Sequence, residues 1–169
     1  GRRDLAERHY LGALRIDPDF TAARANLAQL YASSSRNADA EKVLADGLER
    51  RPQQGELQYS LGLLLAEEKR MKEATQALSR AAKLLPNRAD VQYNYGLALE
   101  QAGQSDQAEA ALLRAQTLDP DDPQTPYALA VFYAQRGKKA QALEWAERLR
   151  ILRPNDPQVG RLIASLQGG

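Results

Sequence analysis

The chain has 169 residues, of which 43% are hydrophobic and 27% charged, a composition typical of a folded domain and not of a disordered segment. Its 23 Lys and Arg balance 22 Asp and Glu, and the net charge of +1 gives no overall field for nucleic acid or for insertion at an anionic membrane. The absence of Cys and the single His exclude thiolate zinc sites, disulfides and iron–sulfur ligation, so no cofactor is expected.

The apolar residues favour helix over strand. There are 29 Ala and 26 Leu, but only 4 Val and 3 Ile. Ala and Leu lose little side-chain freedom in a helix, whereas β-branched residues favour strands. No run approaches the roughly 20 apolar residues that cross a bilayer. The composition therefore predicts an all-α protein without a membrane span, in the cytoplasm or the periplasm; the sequence does not decide between these two compartments.

Two residue types recur with a period of 34. Prolines that recur at this interval end helices, because proline cannot continue a helix and disfavours helical dihedrals in the residue before it. They are Pro18, Pro52, Pro86, Pro120 and Pro154. An alanine precedes each of these prolines by twelve residues, and a small residue at a fixed helical position indicates close backbone approach. These alanines are Ala6, Ala40, Ala74, Ala108 and Ala142.

In chain order, the pattern predicts one helix in residues 1–18, four helical hairpins and a closing helix with a tail in residues 155–169. The hairpins occupy residues 19–52, 53–86, 87–120 and 121–154. Each contains two apolar stripes of about 14 residues, or roughly 21 Å of helix apiece. Breaks within the hairpins are expected near residues 33–37, 69–70, 103–105 and 137–138. Ser105 and the Asp122–Pro123 pair are predicted to start helices.

The first hairpin carries Leu27-Ala28, Tyr31, Ala40, Leu44, Gly47 and Pro52, and this alternation resembles a tetratricopeptide repeat (TPR). The most similar copy is residues 89–122. The resemblance covers the whole chain and implies a right-handed superhelical solenoid of antiparallel helix pairs, with about ten helices. The sequence departs from the family at Arg24, Gln58, Gln92 and Pro126, where an aromatic is frequent, and at Ala146. These departures are expected to weaken some helix interfaces without changing the fold.

In this family the first helix of each pair lines a concave groove, and helical spacing from the row Leu27, Leu61, Tyr95 and Leu129 identifies the residues facing it. Tyrosines and aliphatic residues offer burial to a peptide, and amides can bond its backbone. The predicted groove residues are Asn26, Gln29, Tyr59, Leu63, Tyr93, Asn94, Leu97, Tyr127, Val131 and Arg161. Structural packing of the tyrosines between first helices stays open as an alternative. The resemblance does not extend to a carboxylate clamp, because no groove position offers Lys or Arg before Arg161.

The predicted function is a non-enzymatic scaffold that binds a peptide or helix of a partner protein. No Gly-rich phosphate loop, Ser-nucleophile motif or His acid–base pair is present. His9 has no second imidazole with metal-ligand spacing, so no metal site is expected. Asp119, Asp121 and Asp122 fit turn and capping chemistry.

Two alternatives stay open. The predicted first helix belongs to the second-helix type, so its flank of Leu5, Ala6, Tyr10 and Ala13 would be uncovered, which favours self-association. The stretch 2–32 also resembles the TPR segments of some multihaem cytochromes. In that case the chain is part of a larger enzyme, although it contains no haem-attachment motif.

Overall fold

The computed structural model describes residues 1–168, which form ten α-helices and no strand. The prediction of an all-α protein with about ten helices is therefore confirmed. The helices are α1 (Arg2–Ile16), α2 (Thr21–Ala32), α3 (Asn37–Arg50), α4 (Gly55–Glu67), α5 (Met71–Leu84), α6 (Ala89–Gln101), α7 (Ser105–Leu118), α8 (Gln124–Gln135), α9 (Lys139–Leu152) and α10 (Pro157–Gly168). Five of them, α1, α3, α5, α7 and α9, end two residues before a proline of the 34-residue series.

The breaks within the hairpins share one backbone geometry. Each has a residue with positive φ at the same repeat position, namely Ser35 (58°), Lys69 (62°), Gly103 (74°) and Gly137 (68°). The next N–H then bonds the carbonyl five residues back, as in Lys138 N to Tyr133 O at 3.0 Å. This is the Schellman motif at the C-terminus of a helix. It requires one residue in the left-handed conformation, which glycine adopts without a steric penalty. The predicted breaks thus coincide with observed helix ends.

Both predicted helix starts lie at observed helix starts, but only Asp122 caps its helix. Asp122 caps α8, because its carboxylate accepts hydrogen bonds from the backbone N–H of Gln124 (3.1 Å) and of Thr125 (3.0 Å). Ser105 begins α7 but does not cap it: the N-cap is Gln104, which makes no side-chain cap bond. The Ser105 hydroxyl instead accepts a hydrogen bond from Arg136 Nη2 at 2.8 Å.

The chain divides into two compact units: unit 1, residues 1–86 with 101–103, and unit 2, residues 87–100 with 104–169. In unit 1 the principal core surrounds Leu27, Leu44 and Leu57. In unit 2 it surrounds Leu112, Leu129 and Phe132, and a second cluster forms where α10 packs on α9. Four alanines of the periodic series, all except Ala6, are fully buried, and Ala6 is half-buried.

Glycines mark where the two helices of a pair approach most closely. A Cβ added at Gly62 would lie 2.6 Å from Leu78 Cγ and 3.2 Å from Leu78 N. In unit 2, a Cβ at Gly96 would lie 2.8 Å from Leu112 Cγ and 3.2 Å from Leu112 N. Since backbone atoms cannot move aside as a flexible side chain does, only glycine permits this packing.

Replacing Ala108 by Leu is expected to lower the free energy of unfolding by about 1–3 kcal/mol, because the larger side chain overpacks a fully buried position of unit 2. Denaturant unfolding measures the change. Ala110 is exposed on the same helix, and Ala110→Leu is the matched control, expected to stay within about 0.5 kcal/mol of the parent. Equal unfolding midpoints for the two variants would contradict close packing at Ala108.

A tyrosine–carboxylate hydrogen bond occurs twice, at positions three repeats apart. In unit 1 the Tyr31 hydroxyl donates to Glu7 Oε1 at 2.9 Å, and the Arg36 guanidinium lies 4.1 Å from the ring centroid. In unit 2 the Tyr133 hydroxyl donates to Glu109 Oε1 at 2.7 Å. Burial, together with this hydrogen bond and the charge of the carboxylate, raises the pKa of Tyr133 to about 12. Each pair joins a first helix to the second helix of the preceding pair.

Tyr133→Phe is expected to lower the free energy of unfolding near pH 7 by about 1 kcal/mol, the typical net value of one hydrogen bond. The raised pKa means that the folded state holds the phenolic proton more tightly than the unfolded state does. The stabilisation of the folded state that results from this pKa difference is fully present below about pH 10 and is lost as the pH rises towards about 12. Denaturant unfolding from pH 8 to pH 12 should therefore show a shallower alkaline decline for Tyr133→Phe.

The control for this pH profile is Tyr95→Phe, which removes the hydroxyl of a half-buried ring at the edge of the same core. It is expected to leave the profile unchanged. An alkaline decline as steep in Tyr133→Phe as in the parent would show that the Tyr133 hydroxyl does not supply it.

Candidate functional site

Unit 1 contains a pocket of about 230 Å³ formed by the first helices α2 and α4 with the start of α3. Its floor is aliphatic and its sides are polar and aromatic. The lining residues are Ala28, Gln29, Ala32, Ala40, Leu44, Glu56, Tyr59, Ser60, Leu63, Leu64 and Glu67. Three predicted groove residues, Gln29, Tyr59 and Leu63, therefore lie in one pocket. The fourth predicted residue of this unit, Asn26, is exposed and does not line the pocket.

Helical spacing places the α4 residues on one side of the pocket. Glu56, Tyr59, Leu63 and Glu67 follow one another at intervals of three or four residues, so they lie along one face of the helix. Tyr59 and Leu63 are half-buried, which leaves part of each side chain accessible to a ligand. The sequence reasoning missed the two glutamates, although one further helical turn in each direction from Tyr59 and Leu63 identifies both.

Unit 2 contains a second pocket, of about 350 Å³, at the amino-terminal ends of α8 and α10. Two predicted groove tyrosines line it: Tyr127 is 52% exposed, whereas Tyr93 is half-buried. Burial, with the nearby charges of Asp122 and Tyr127, raises the pKa of Tyr93. The lining residues are Tyr93, Pro123, Gln124, Tyr127, Leu149, Arg153, Asp156, Gln158 and Val159.

Several lining residues of the unit 2 pocket were not predicted, because they come from the end of a second helix and the loop after it. Arg153 and Asp156 are two of these, and Arg153 Nη1 lies 3.7 Å from Asp156 Oδ2. The predicted groove considered only first helices. The signal for the loop was present in the sequence, since 154–157 is one of the Pro- and Asp-rich boundaries between hairpins.

The remaining predicted groove residues of unit 2 lie outside that pocket. Leu97 is half-buried and packs against the core around Leu112, while Val131 is half-buried and Arg161 exposed. The Asn94 side chain donates from Nδ2 to Asp90 O at 2.8 Å, one turn earlier in α6. Part of the hydrogen-bonding capacity expected for a peptide backbone is therefore used within the helix.

The row used to define the groove is less uniformly buried than expected. Leu27 and Leu129 are fully buried, whereas Leu61 and Tyr95 are half-buried and lie against the edges of their cores. On the helical wheel, however, Tyr59 of unit 1 and the tyrosines 93 and 127 of unit 2 still lie beside this row. Because Leu61 and Tyr95 are half-buried, the accessible face of α4 and of α6 is wider than predicted. It lies on the predicted side of each helix.

The apolar flank predicted to be uncovered on α1 is only partly exposed. Leu5 is 54% exposed, whereas Ala6, Tyr10 and Ala13 are half-buried, and Tyr10 packs against the core around Leu27. Tyr10 points to the helix pair that follows, which is why it is covered. The other exposed apolar residues of α1 are Leu11 and Ile16.

Residues 1–168 contain neither a candidate metal site nor a candidate membrane span. Within this range no group of three or more His, Asp or Glu side chains could hold a metal ion, and His9 is exposed. In the same range no helix is long and apolar enough to cross a membrane. Asp122, one member of the acidic cluster at 119–122, is engaged as a helix cap.

Comparisons with known proteins agree on one family. A tetratricopeptide repeat model matches residues 1–64 and 65–125, and a second such model matches residues 96–157. A search of curated proteins found no matching sequence.

Three of the similar solved structures illustrate the shared fold. A crystal structure of MamA is 22% identical, with a TM-score of 0.80 over 92% of this chain and 91% of that chain. YrrB, described as a TPR protein with an unusual peptide-binding site, is 23% identical, with a TM-score of 0.79 over 95% of this chain and 82% of that chain. The pilF protein of Pseudomonas aeruginosa is 23% identical, with a TM-score of 0.80 over 98% and 85%. At these identities the likeness shows the fold alone.

Proposed function

Because the chain belongs to the tetratricopeptide repeat family, we propose that it is a non-enzymatic scaffold whose first helices bind a peptide or helix of a partner protein. The proposed four repeats are residues 19–52, 53–86, 87–120 and 121–154, and the segments that flank them, 1–18 and 155–169, contain α1 and α10 respectively. One observation carries the proposal: in each unit a pocket is lined by first-helix tyrosine, one ring in unit 1 and two in unit 2, and part of each ring stays accessible. The peptide-binding site described for YrrB, which has the same fold, supports it.

The chemistry of the pockets suits a polypeptide ligand. Tyr59 in unit 1 and Tyr127 in unit 2 offer rigid rings for apolar burial and hydroxyls for hydrogen bonds. Gln29 and Gln124 add amides that can pair with a peptide backbone. Pockets of this size hold one or two side chains each, so each pocket offers one anchoring point to a polypeptide ligand.

The test is selection of peptides from a displayed random 12-residue library on the purified protein, followed by Kd measurements for the selected peptides by fluorescence anisotropy. The double variant Tyr59→Ala/Tyr127→Ala removes one accessible ring from each pocket and is expected to weaken binding about tenfold or more. Circular dichroism should show unchanged helix content. The pair Tyr93→Ala/Leu97→Ala should also abolish capture, but it requires a closer stability check because both residues contact the core.

The matched control is the double variant Leu11→Ala/Ile151→Ala, which removes one exposed aliphatic side chain from each unit outside the first helices. It is expected to bind like the parent. Equal losses in the two double variants, or tight binding by a folded tyrosine double variant, would contradict the proposal.

Self-association is the second candidate, favoured by the exposure of Leu5, Leu11 and Ile16 along α1. Sedimentation velocity over a hundredfold range of concentration tests it directly. Association that is weakened by Ile16→Ser would support this face as an interface. A sedimentation coefficient that stays at the monomer value throughout the range would remove the candidate.

A further inference from the structure

The hydroxyls of the two tyrosines in the unit 2 pocket differ from those of the tyrosines in the cores. Tyr31 and Tyr133 donate their hydroxyl hydrogens to glutamates, at 2.9 and 2.7 Å. Neither Tyr93 nor Tyr127 makes a hydrogen bond to any group within residues 1–168. Burial raises the pKa of Tyr93, so its phenol stays protonated at neutral pH. Both hydroxyls are therefore available as donors to a ligand in this pocket.

Two glutamines add further donors where the helix starts meet the pocket. Gln124 is the first residue of α8 and Gln158 the second residue of α10, and both are exposed. Their backbone N–H groups bond the capping carboxylates of Asp122 (3.1 Å) and Asp156 (2.8 Å). In the described part of the chain, neither side-chain amide has a hydrogen-bond partner. The pocket thus offers donors from four side chains, since each amide also carries N–H groups.

The unit 2 pocket has no net formal charge. Its two ionised lining residues, Arg153 and Asp156, lie 3.7 Å apart and offset each other. The buried members of its lining include Leu149 and Val159, which are both aliphatic, and the ring of Tyr127 beside them is 52% exposed. A ligand that complements this pocket is therefore uncharged and apolar, with hydrogen-bond acceptors that are not already paired.

A proline-rich segment in the polyproline II conformation has these properties. Proline lacks a backbone N–H, and the carbonyls of polyproline II make no internal hydrogen bonds, so the segment offers acceptors without competing donors. The carbonyls of an α-helix are already paired within the helix, so a helix would leave the donors of the pocket unmatched. Proline-rich segments also dock in aromatic-lined grooves, and their preformed conformation lowers the entropy cost of binding.

We infer that the unit 2 pocket binds a proline-rich segment of a partner protein in the polyproline II conformation. The inference rests on the proposed function and adds the composition and the conformation of the ligand. Tyr93 and Tyr127 supply ring faces for the prolines, and their hydroxyls, with the amides of Gln124 and Gln158, donate to the carbonyls. Because neither side carries net charge, the affinity should change little with ionic strength.

The probe is decaproline with an acetylated and an amidated end, which is uncharged, titrated into the full chain by calorimetry. It should bind at least tenfold more tightly than a ten-residue Gly-Ser peptide with the same ends, and the displayed library should enrich Pro. Tyr93→Phe/Tyr127→Phe keeps both rings and removes both hydroxyls, so the Kd for decaproline should rise about tenfold. The matched control is Tyr10→Phe/Tyr95→Phe, which removes two hydroxyls outside the pocket and should leave Kd within about twofold.

A second pair of variants separates the loss of donors from any loss of folding. Gln124→Glu/Gln158→Glu replaces two donors by acceptors and should raise the Kd for decaproline about tenfold. The melting temperature should stay close to that of the parent, because the first turns of α8 and α10 contain no acidic residue and favour negative charge. Gln104→Glu/Gln107→Glu makes the same change of charge at the exposed start of α7 and should leave Kd within about twofold.

An equal rise of Kd in either pocket variant and its control would overturn the inference, because the pocket donors would then not explain the effect. Decaproline that binds no more tightly than the Gly-Ser peptide would also overturn it. If library peptides then still lose affinity with Tyr59→Ala/Tyr127→Ala, the proposed function stands without the inference. If no selected peptide depends on those tyrosines, both fail.

Discussion

Phe132→Ala is expected to lower the free energy of unfolding by about 3–5 kcal/mol, the largest change of any single substitution considered for this chain. Phe132 is 1% exposed in the main core of unit 2, and its ring meets Tyr133 edge to face at a centroid distance of 5.4 Å. The Arg136 guanidinium carbon lies 3.6 Å from the ring centroid. Truncation therefore leaves a cavity and removes an aromatic pair and a cation–π contact. Urea unfolding followed by circular dichroism measures the change.

The only other phenylalanine provides the control. Phe20 lies at the start of α2 and is 47% exposed, so Phe20→Ala is expected to cost less than about 1 kcal/mol. A loss of less than about 1.5 kcal/mol for Phe132→Ala would contradict the assignment of Phe132 to a closely packed core.

Arg24→Leu is expected to lower the free energy of unfolding by about 2–5 kcal/mol. Arg24 is buried, and its guanidinium donates from Nη1 to Val43 O at 3.0 Å and from Nη2 to Pro18 O at 2.7 Å. Leucine occupies part of the volume but removes two hydrogen bonds donated by a charged, buried guanidinium, which together contribute about 2–5 kcal/mol. Denaturant unfolding of the two proteins under identical conditions gives the difference.

The chain contains its own control for Arg24. Gln58 occupies the same repeat position 34 residues later, is buried, and donates from Nε2 to Pro52 O at 3.4 Å. Arg24→Gln should therefore retain a donor for the Pro18 carbonyl and lose about half as much stability as Arg24→Leu. If the glutamine and leucine variants are equally destabilised, the hydrogen bonds of Arg24 do not account for its contribution.

The helices could be predicted because their ends depend on local chemistry. Proline at a fixed interval and a left-handed residue in each break act within a few residues of the chain, so the sequence alone locates them. The same reasoning treated Arg24 as a departure that weakens an interface. The structure corrects this, since the guanidinium is paired with two carbonyls and passes over Gly47, where an added Cβ would lie 2.3 Å from Arg24 Cδ.

The candidate site was predictable only in part, because a helical wheel shows which face a residue occupies but not which elements meet there. It gave Tyr59, Leu63, Tyr93 and Tyr127 as groove residues, and these line the two pockets. It did not give Arg153, which reaches the unit 2 pocket from the end of a second helix. Such contacts depend on how helix pairs pack against each other, so the spacing of residues along one helix does not predict them.

The most direct test of the binding surface is a map of backbone amide chemical shifts at saturation with a peptide selected from the library. Binding by the first helices predicts the largest changes within α2, α4, α6 and α8, with small changes on the exposed faces of α3, α7 and α9. The largest changes on those second helices, with the amides around Tyr59 and Tyr127 unaffected, would contradict the account.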